Sequence, residues 1–325
     1  MKGRLLITGI GGFLGKAIDT QARIDGYETF GFPSSVVDLT NLSETERMVK
    51  GTRPDFIIHA AGRVGGIGAN QRNPAAFWRD NLQIGMNILE ATVRYGYVEK
   101  LVMIGTTCSY PSKPKNIPFS ERELFDGYPE ITNAPYGIAK RTLIAGAISY
   151  HQQYGLKVVC PVPANLFGPG DNFAESGHAI PAIIRKVWQA KQGGAKEVRL
   201  WGTGKATRDF LYVADCAYNL IRLMETNVND GIPVNIGTGQ ELSISEVADA
   251  IRNLLDAQLE ILWDNEKPDG QIRRVLDTSL INTILGEKFR LTPFNSCIKN
   301  TVEAFLYQME EPRIRITEKQ TFGQF

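Results

Sequence analysis

Arg4-Leu5-Leu6-Ile7-Thr8-Gly9-Ile10-Gly11-Gly12-Phe13-Leu14-Gly15 decides the fold. Residues 4–8 read as a buried β-strand, Gly9-x-x-Gly12-x-x-Gly15 as a tight turn, and 13–21 as a helix. Backbone that must approach a pyrophosphate closely cannot carry side chains. The N-terminus of the following helix supplies N–H donors and a partial positive charge. Spacing alone is weak, because tight strand–helix turns use glycine for steric reasons as well. Placement directly after the first strand makes Gly9, Gly12, Phe13, Leu14 and Gly15 candidates for holding a dinucleotide.

Outward from that turn, short apolar runs at 27–32, 56–60, 101–105 and 158–161 alternate with longer helical patterns. Near-continuous apolar strands separated by helices predict a parallel sheet covered on both faces, a doubly wound α/β fold of Rossmann type. After Asn165 the texture changes, with loop signals at 168–172, 191–194 and 201–204 around a helical stretch at 180–189. A further strand is expected at 233–236, and Ser243 with Glu246 has the spacing of a capping box. The expected division is 1–165 plus about 208–238 for the dinucleotide, and about 166–207 plus 239–325 as a smaller α/β substrate domain. The last dozen residues read as a frayed tail.

Composition narrows the function classes. The chain has 325 residues, 43% apolar and 22% charged, with 36 Lys and Arg against 35 Asp and Glu. A duplex-DNA binder usually carries a basic excess and a disordered chain is usually poorer in apolar residues. No run reaches a membrane span, and the first residues lack the apolar region and cleavage site of a secretory signal. Cys108, Cys160, Cys216 and Cys297 form no C-x-x-C pair, which fits a reducing compartment. The expectation is a cytoplasmic protein with no metal site and neither nucleic acid nor membrane as partner.

Tyr136-x-x-x-Lys140 lies on a helical pattern, so its two side chains share a face. A tyrosine is a poor acid–base group near neutral pH, and a neighbouring ammonium is expected to draw its pKa down. Thr106, at the end of the 101–105 strand, offers a hydroxyl to the same reacting oxygen. Gly31-Phe32-Pro33-Ser34-Ser35 follows the second strand and holds neither the acid that binds a ribose 2′-OH nor the Arg that accommodates a 2′-phosphate. Ser34 is a candidate for the phosphate and Asp38 for the adenine region, though both also suit an ordinary turn. The choice between NAD and NADP stays open.

Thr8-Gly9-x-x-Gly12-Phe13-x-Gly15, His59-Ala60-Ala61-Gly62 and Tyr136-Gly137-x-x-Lys140 together resemble the extended short-chain dehydrogenase/reductases that modify nucleotide sugars. Five further segments narrow the resemblance: Arg63 to Ile67, Thr106 to Pro111, Pro163 to Pro169, Ser176 to Pro181 and Lys267 to Gly270. They look like the branch that epimerises C3 and C5 and reduces C4 of a GDP-4-keto-6-deoxy-hexose. The resemblance runs to about Asp277, most of the chain. It implies Cys108 as the base and His178 as the acid of epimerisation, with Thr106, Tyr136 and Lys140 serving reduction. It implies NADP as cofactor, with Ala60, Ala61 and Gly62 beside it, and a homodimer formed through helices at 78–95 and 136–154. Asn165, Lys186, Trp201, Arg208 and Arg273 fall where substrate is bound.

Related 4,6-dehydratases carry an Asp-Glu pair where this chain has Thr107-Cys108. Their acids are therefore missing here. The chain also departs from its own branch. Thr106 replaces a usual Ser, and Gly11 and Ser34 stand where arginines serve the NADPH phosphate. The loop before His178 is one residue shorter. An epimerase without net reduction, or an enzyme of another GDP-deoxy-sugar or GDP-heptose, is the alternative.

Overall fold

Leu5, Leu6 and Ile7 are fully buried because β1 (Arg4–Thr8) runs inside a six-stranded parallel sheet. In this computed structural model residues 1–174, 177–267 and 269–321 are described. The chain continues through α1 (Phe13–Ile24), β2 (Glu28–Phe30), α2 (Leu42–Thr52), β3 (Phe56–His59), α3 (Ile67–Arg72), α4 (Pro74–Tyr95) and β4 (Lys100–Met103). It then forms α5 (Ala134–Tyr154), β5 (Val158–Pro163), β6 (Asn165–Phe167), α6 (Ala179–Gln192), β7 (Glu197–Trp201), β8 (Thr207–Arg208) and β9 (Phe210–Tyr212). The remainder is α7 (Val213–Met224), β10 (Asp230–Ile236), β11 (Leu242–Ser243), α8 (Ile244–Leu254), β12 (Glu260–Asp264), β13 (Arg273–Arg274), α9 (Ser279–Leu285) and α10 (Phe294–Thr321).

The large sheet has the order β10-β5-β4-β3-β1-β2. Strand order reverses between β1 and β3, and ligands of open α/β sheets bind in the crevice outside the carboxyl ends at such a point. Thr8 and His59, paired in register, mark that end. The second strand is shorter than its sequence pattern, 28–30 rather than 27–32. Gly31 leaves the ladder because its Cα packs on Ile10, where a Cβ would come within 2.6 Å of the isoleucine side chain.

Two apolar clusters divide the interior. One joins the large sheet to α1, α4, α5 and α7, with Ile18, Ile88, Ile144 and Leu220 fully buried. The other gathers Phe167, Ile184, Leu200, Val247, Ile251 and Phe305 around the small sheets that follow residue 165. The capping box at Ser243 forms: Ser243 Oγ accepts from the Glu246 N–H at 3.1 Å, and the Glu246 carboxylate accepts from the Ser243 N–H at 2.7 Å. The expected frayed tail is a difference. Helix α10 carries on to Thr321, and residues 322–325 lie outside those described. Among the described residues no helix is long and apolar enough to cross a membrane, and no cluster of His, Cys, Asp and Glu suits a metal ion.

Candidate active site

The glycine turn fits a dinucleotide. Gly9 has φ +71°, and a Cβ there would lie 2.8 Å from the Ala61 Cα, so β1 and the segment after β3 meet only because that atom is missing. A Cβ on Gly15 would lie 2.0 Å from the Gly9 carbonyl oxygen, which locks α1 against the turn. Gly12 caps α1 without a side-chain hydrogen bond, leaving the first-turn N–H groups at Phe13 and Leu14 available to an anion. At Gly11 an added Cβ would meet nothing within 4 Å, so the turn is open on that side.

The floor beside it is tied together by Thr8. Its hydroxyl accepts from the Ala61 N–H at 3.2 Å and bonds His59 Nδ1 at 2.8 Å. Asn81 of α4 holds both backbone polar groups of Arg63, accepting its N–H at 3.1 Å and donating to its carbonyl at 3.0 Å. The Ala60-Ala61-Gly62 segment is thereby fixed at the mouth of the crevice. Ser34 is exposed, and no Lys or Arg occurs between residues 28 and 40. The Asp38 carboxylate is turned inward on its own loop, accepting from the Thr40 N–H at 2.9 Å and the Thr40 hydroxyl at 2.7 Å.

Thr106 opens the 3₁₀ turn Thr107–Ser109, and its Oγ accepts from the Cys108 N–H at 3.2 Å. The Thr106 hydroxyl proton is then left to face the Tyr136 phenol. Helix α5 grips this turn. Ser109 Oγ donates to the Gly137 carbonyl at 3.0 Å, and Arg141 donates to the Ser109 and Gly127 carbonyls at 2.9 and 2.6 Å. A Cβ on Gly137 would lie 2.2 Å from the Cys108 carbonyl oxygen. The glycine after Tyr136 therefore lets Cys108 sit directly on the helix that carries Tyr136 and Lys140.

Lys140 is 4% exposed and donates from Nζ to the Ile104 carbonyl at 3.1 Å. Burial pulls its pKa down to about 8. Tyr136 behaves contrary to the sequence expectation. Burial first, then the Cys108 sulfur, push its phenol upward; a hydrogen bond with Thr106 opposes them, and Lys140 is not among the causes. The phenol is thus held in its acid form, the form needed to give a proton to an oxygen.

Cys108 is partly buried, and Arg274 Nη1 donates to its sulfur at 3.6 Å. Arg274 is 7% exposed and steadied by Gln271, whose Oε1 accepts from its Nε at 3.1 Å. The sequence offers its neighbour Arg273 as a substrate-binding residue. That residue is exposed and bound through Nη2 and Nε to the Glu241 carboxylate at 2.7 and 3.0 Å. Successive side chains of a strand point to opposite faces, so on β13 only one of the two arginines can reach the sulfur. Replacing Arg274 with Met is expected to slow Cys108-dependent proton removal by roughly tenfold to a hundredfold, the scale of a hydrogen bond to a charged group. Solvent deuterium entering the substrate measures it, and a native rate would rule the contact out.

Arg208 belongs to the same cluster. Burial and then Arg274 bring its pKa down to about 10, while Asp269 and the Cys108 sulfur act in the opposite sense. Its guanidinium donates to the carbonyls of Thr207 at 2.7 Å and Asp269 at 3.0 Å. The neighbouring Asp209 carboxylate is turned away onto Thr238 and Gly239. Asn165 begins β6 and bonds through its N–H to the Asp209 carbonyl at 3.1 Å. Trp201 is 63% exposed, with Lys186 Nζ 5.2 Å and Lys267 Nζ 5.9 Å from its ring centre. A cavity of about 540 Å³ opens farther along, with Ser112, Glu130, Asp269, Gln271 and Arg273 in its walls; Thr106, Cys108, Tyr136 and Lys140 do not line it. His178 stands exposed at the start of α6.

Comparisons with known proteins agree with this geometry. The NAD dependent epimerase/dehydratase family matches residues 5–237. The chain is 38% identical to "Probable GDP-L-fucose synthase 1" of Oryza sativa subsp. japonica, over 86% of this chain and 85% of that protein. A GDP-L-fucose synthetase from Naegleria fowleri, solved bound to NADP, superposes with a TM-score of 0.86 at 29% identity, covering 95% of this chain and 96% of that one. A GDP-6-OMe-4-keto-L-xylo-heptose reductase from C. jejuni superposes with a TM-score of 0.84 at 27% identity, covering 94% and 98%. With its glycine turn at the switch point of the sheet and its Thr106, Tyr136 and Lys140 gathered at the next strand ends, the chain belongs to the NAD dependent epimerase/dehydratase family.

Proposed function

We propose that this protein is a bifunctional enzyme of GDP-4-keto-6-deoxy-hexoses, like GDP-L-fucose synthase, which inverts C3 and C5 and reduces C4 with NADPH. The observation that carries the reading is the Cys108 sulfur, placed against Arg274 on the turn that Thr106 begins and α5 grips. Residues 1–165 with 208–238 hold the dinucleotide in this proposal, and 166–207 with 239–325 the nucleotide sugar. Two copies pair through α4 and α5 in the cytoplasm. Trp78 and Met86 on α4 are 46% and 49% exposed, which supports such a face, and sedimentation of the purified protein tests it.

A carbon next to a ketone is acidic enough for a positioned base to deprotonate. Cys108 takes the C3 or C5 proton on its sulfur, to which Arg274 donates. Thr106 and Tyr136 direct hydroxyls at the oxygen on which charge develops. His178 returns a proton to the opposite face, which inverts the centre. Bound at the glycine turn, the cofactor supplies the hydride for C4. Tyr136, kept in its acid form, donates the proton to the C4 oxygen. Lys140 keeps donors beyond its bond to Ile104 for the nicotinamide ribose, and Arg208 with Lys186 meets the diphosphate.

The test is incubation with GDP-4-keto-6-deoxy-mannose and NADPH or NADH in parallel. Oxidation of the cofactor together with a product inverted at C3 and C5 is expected. Inversion with no change in cofactor would identify an epimerase that returns the hydride. The shortened loop before His178 and the heptose-reductase likeness favour a second reading, a GDP-heptose substrate, shown by faster turnover of the keto-heptose. No product from either sugar overturns both.

A further inference from the structure

An adenosine ribose at the carboxyl end of the second strand is read by one of two groups, an acid for its 2′-OH or an arginine for a 2′-phosphate. The structure sets that strand end against the glycine turn. A Cβ on Gly31 would lie 2.6 Å from the Ile10 side chain, so the segment leaving β2 starts directly beside the turn. Gly11, Phe32, Ser34 and Ser35 are all exposed. Neither reading group is present. Residues 5–15 and 28–40 hold no Lys or Arg. Arg63, the cation of the segment after β3, is drawn onto the Asp80 carboxylate at 2.8 Å. Asp38, the first acid after β2, accepts both Thr40 bonds through Oδ1 and so holds its own loop.

What this loop offers is neutral. The Pro33 carbonyl closes the turn by accepting from the Val36 and Val37 N–H groups at 2.9 and 3.2 Å. Among the described residues Ser34 and Ser35 have no hydrogen-bond partner, so their hydroxyls and N–H groups are left to solvent or to a ligand. At Gly11 nothing lies within 4 Å of an added Cβ, so no neighbour fills the space from the other side. A 2′-phosphate standing here keeps most of its water. It meets neither the penalty of an unpaired buried charge nor the gain of a guanidinium fork. We infer that this ribose subsite does not discriminate by charge, that the chain takes NADH as readily as NADPH, and that positions 11 and 34 set this specificity. The nicotinamide is the same in both cofactors, so hydride transfer is open to either.

Dissociation constants for NADPH and NADH test this, measured on the full chain by nicotinamide fluorescence with no sugar present. The two are expected to agree within about tenfold, whereas a single guanidinium on the phosphate contributes roughly tenfold to a hundredfold. Their ratio is expected to stay constant as salt rises from about 0.05 to about 0.5 M, since a fixed charge on the phosphate would be screened. A preference beyond about tenfold for either cofactor overturns the inference. So does a ratio that falls with salt, or failure to bind both. Ser34→Arg and Gly11→Arg are each expected to raise the NADPH-to-NADH affinity ratio by about tenfold at low salt, and less at high salt. Ser34→Lys takes the place of an Arg variant that fails to fold. A ratio that none of these changes moves would show the 2′ position to be read elsewhere, which also overturns the inference. With no sugar present, the outcome is independent of the reaction proposed above. A protein that binds both cofactors yet turns over neither keto-sugar would overturn that reaction and leave this inference standing.

Discussion

Replacing Cys108 with Ser is expected to abolish incorporation of solvent deuterium at C3 and C5, a loss on the order of 10²–10⁴ in exchange rate. The substitution changes one atom. The backbone N–H of residue 108 still donates to Thr106, and the 109–141 contacts that pin the turn involve neither sulfur nor hydroxyl at 108. What disappears is acidity, because a hydroxyl gives up its proton far less readily than a thiol, whose reference pKa is about 8.5. Cofactor binding is expected to stay native, since the glycine turn follows β1 and the Cys108 turn follows β4. Exchange at the native rate in Cys108→Ser would move the base elsewhere and remove the main support for inversion. Reduction of an already inverted keto-sugar is expected to survive the change, because Thr106, Tyr136 and Lys140 are untouched by it.

How far the sequence reveals this site depends on what each feature is made of. Glycines at 9, 12 and 15 report close backbone approach, a local steric demand that spacing displays, and the Cβ positions at Gly9 and Gly15 show the same demand in three dimensions. Tyr136 and Lys140 are legible because helical periodicity puts residues four apart on one face. Arg274 is not legible. Strand β13 is two residues long, too short for alternation to declare which of Arg273 and Arg274 reaches the Cys108 sulfur. The rise in the Tyr136 pKa is hidden for another reason. A lysine four residues away suggests a stabilised phenolate, but Lys140 is not among the causes, and the burial that raises the phenol depends on elements distant in the chain. Local constraints are written in the order of residues; burial and side-chain parity are properties of the assembled fold.

Lys140→Met is expected to remove reductase activity, by on the order of a hundredfold or more, while making the folded protein more stable at pH 7. The sign follows from burial. Lys140 carries a pKa of about 8 in the folded chain against 10.5 for an ordinary lysine, so the fold disfavours its ammonium form. Below pH 8 the group is protonated in both folded and unfolded states, and the whole cost applies, about 3 kcal/mol at 1.36 kcal/mol for each pKa unit. As pH rises from about 8 to 10.5 the folded form gives up its proton while the unfolded form keeps it, and that cost shrinks. Met fills much of the same volume and carries no charge. It does forfeit the bond to the Ile104 carbonyl, worth about 1 kcal/mol. The net gain at pH 7 is therefore about 1–2 kcal/mol, read as a Tm a few degrees above the parent. The difference should narrow steadily between pH 8 and pH 10. A variant that is less stable than the parent at pH 7, or a gap that does not depend on pH, would show that the ammonium is not strained by its surroundings. Catalysis would then have to place Lys140 without the cost to stability assigned to it here, a cost of the kind accepted where a buried charge must wait beside the nicotinamide ribose.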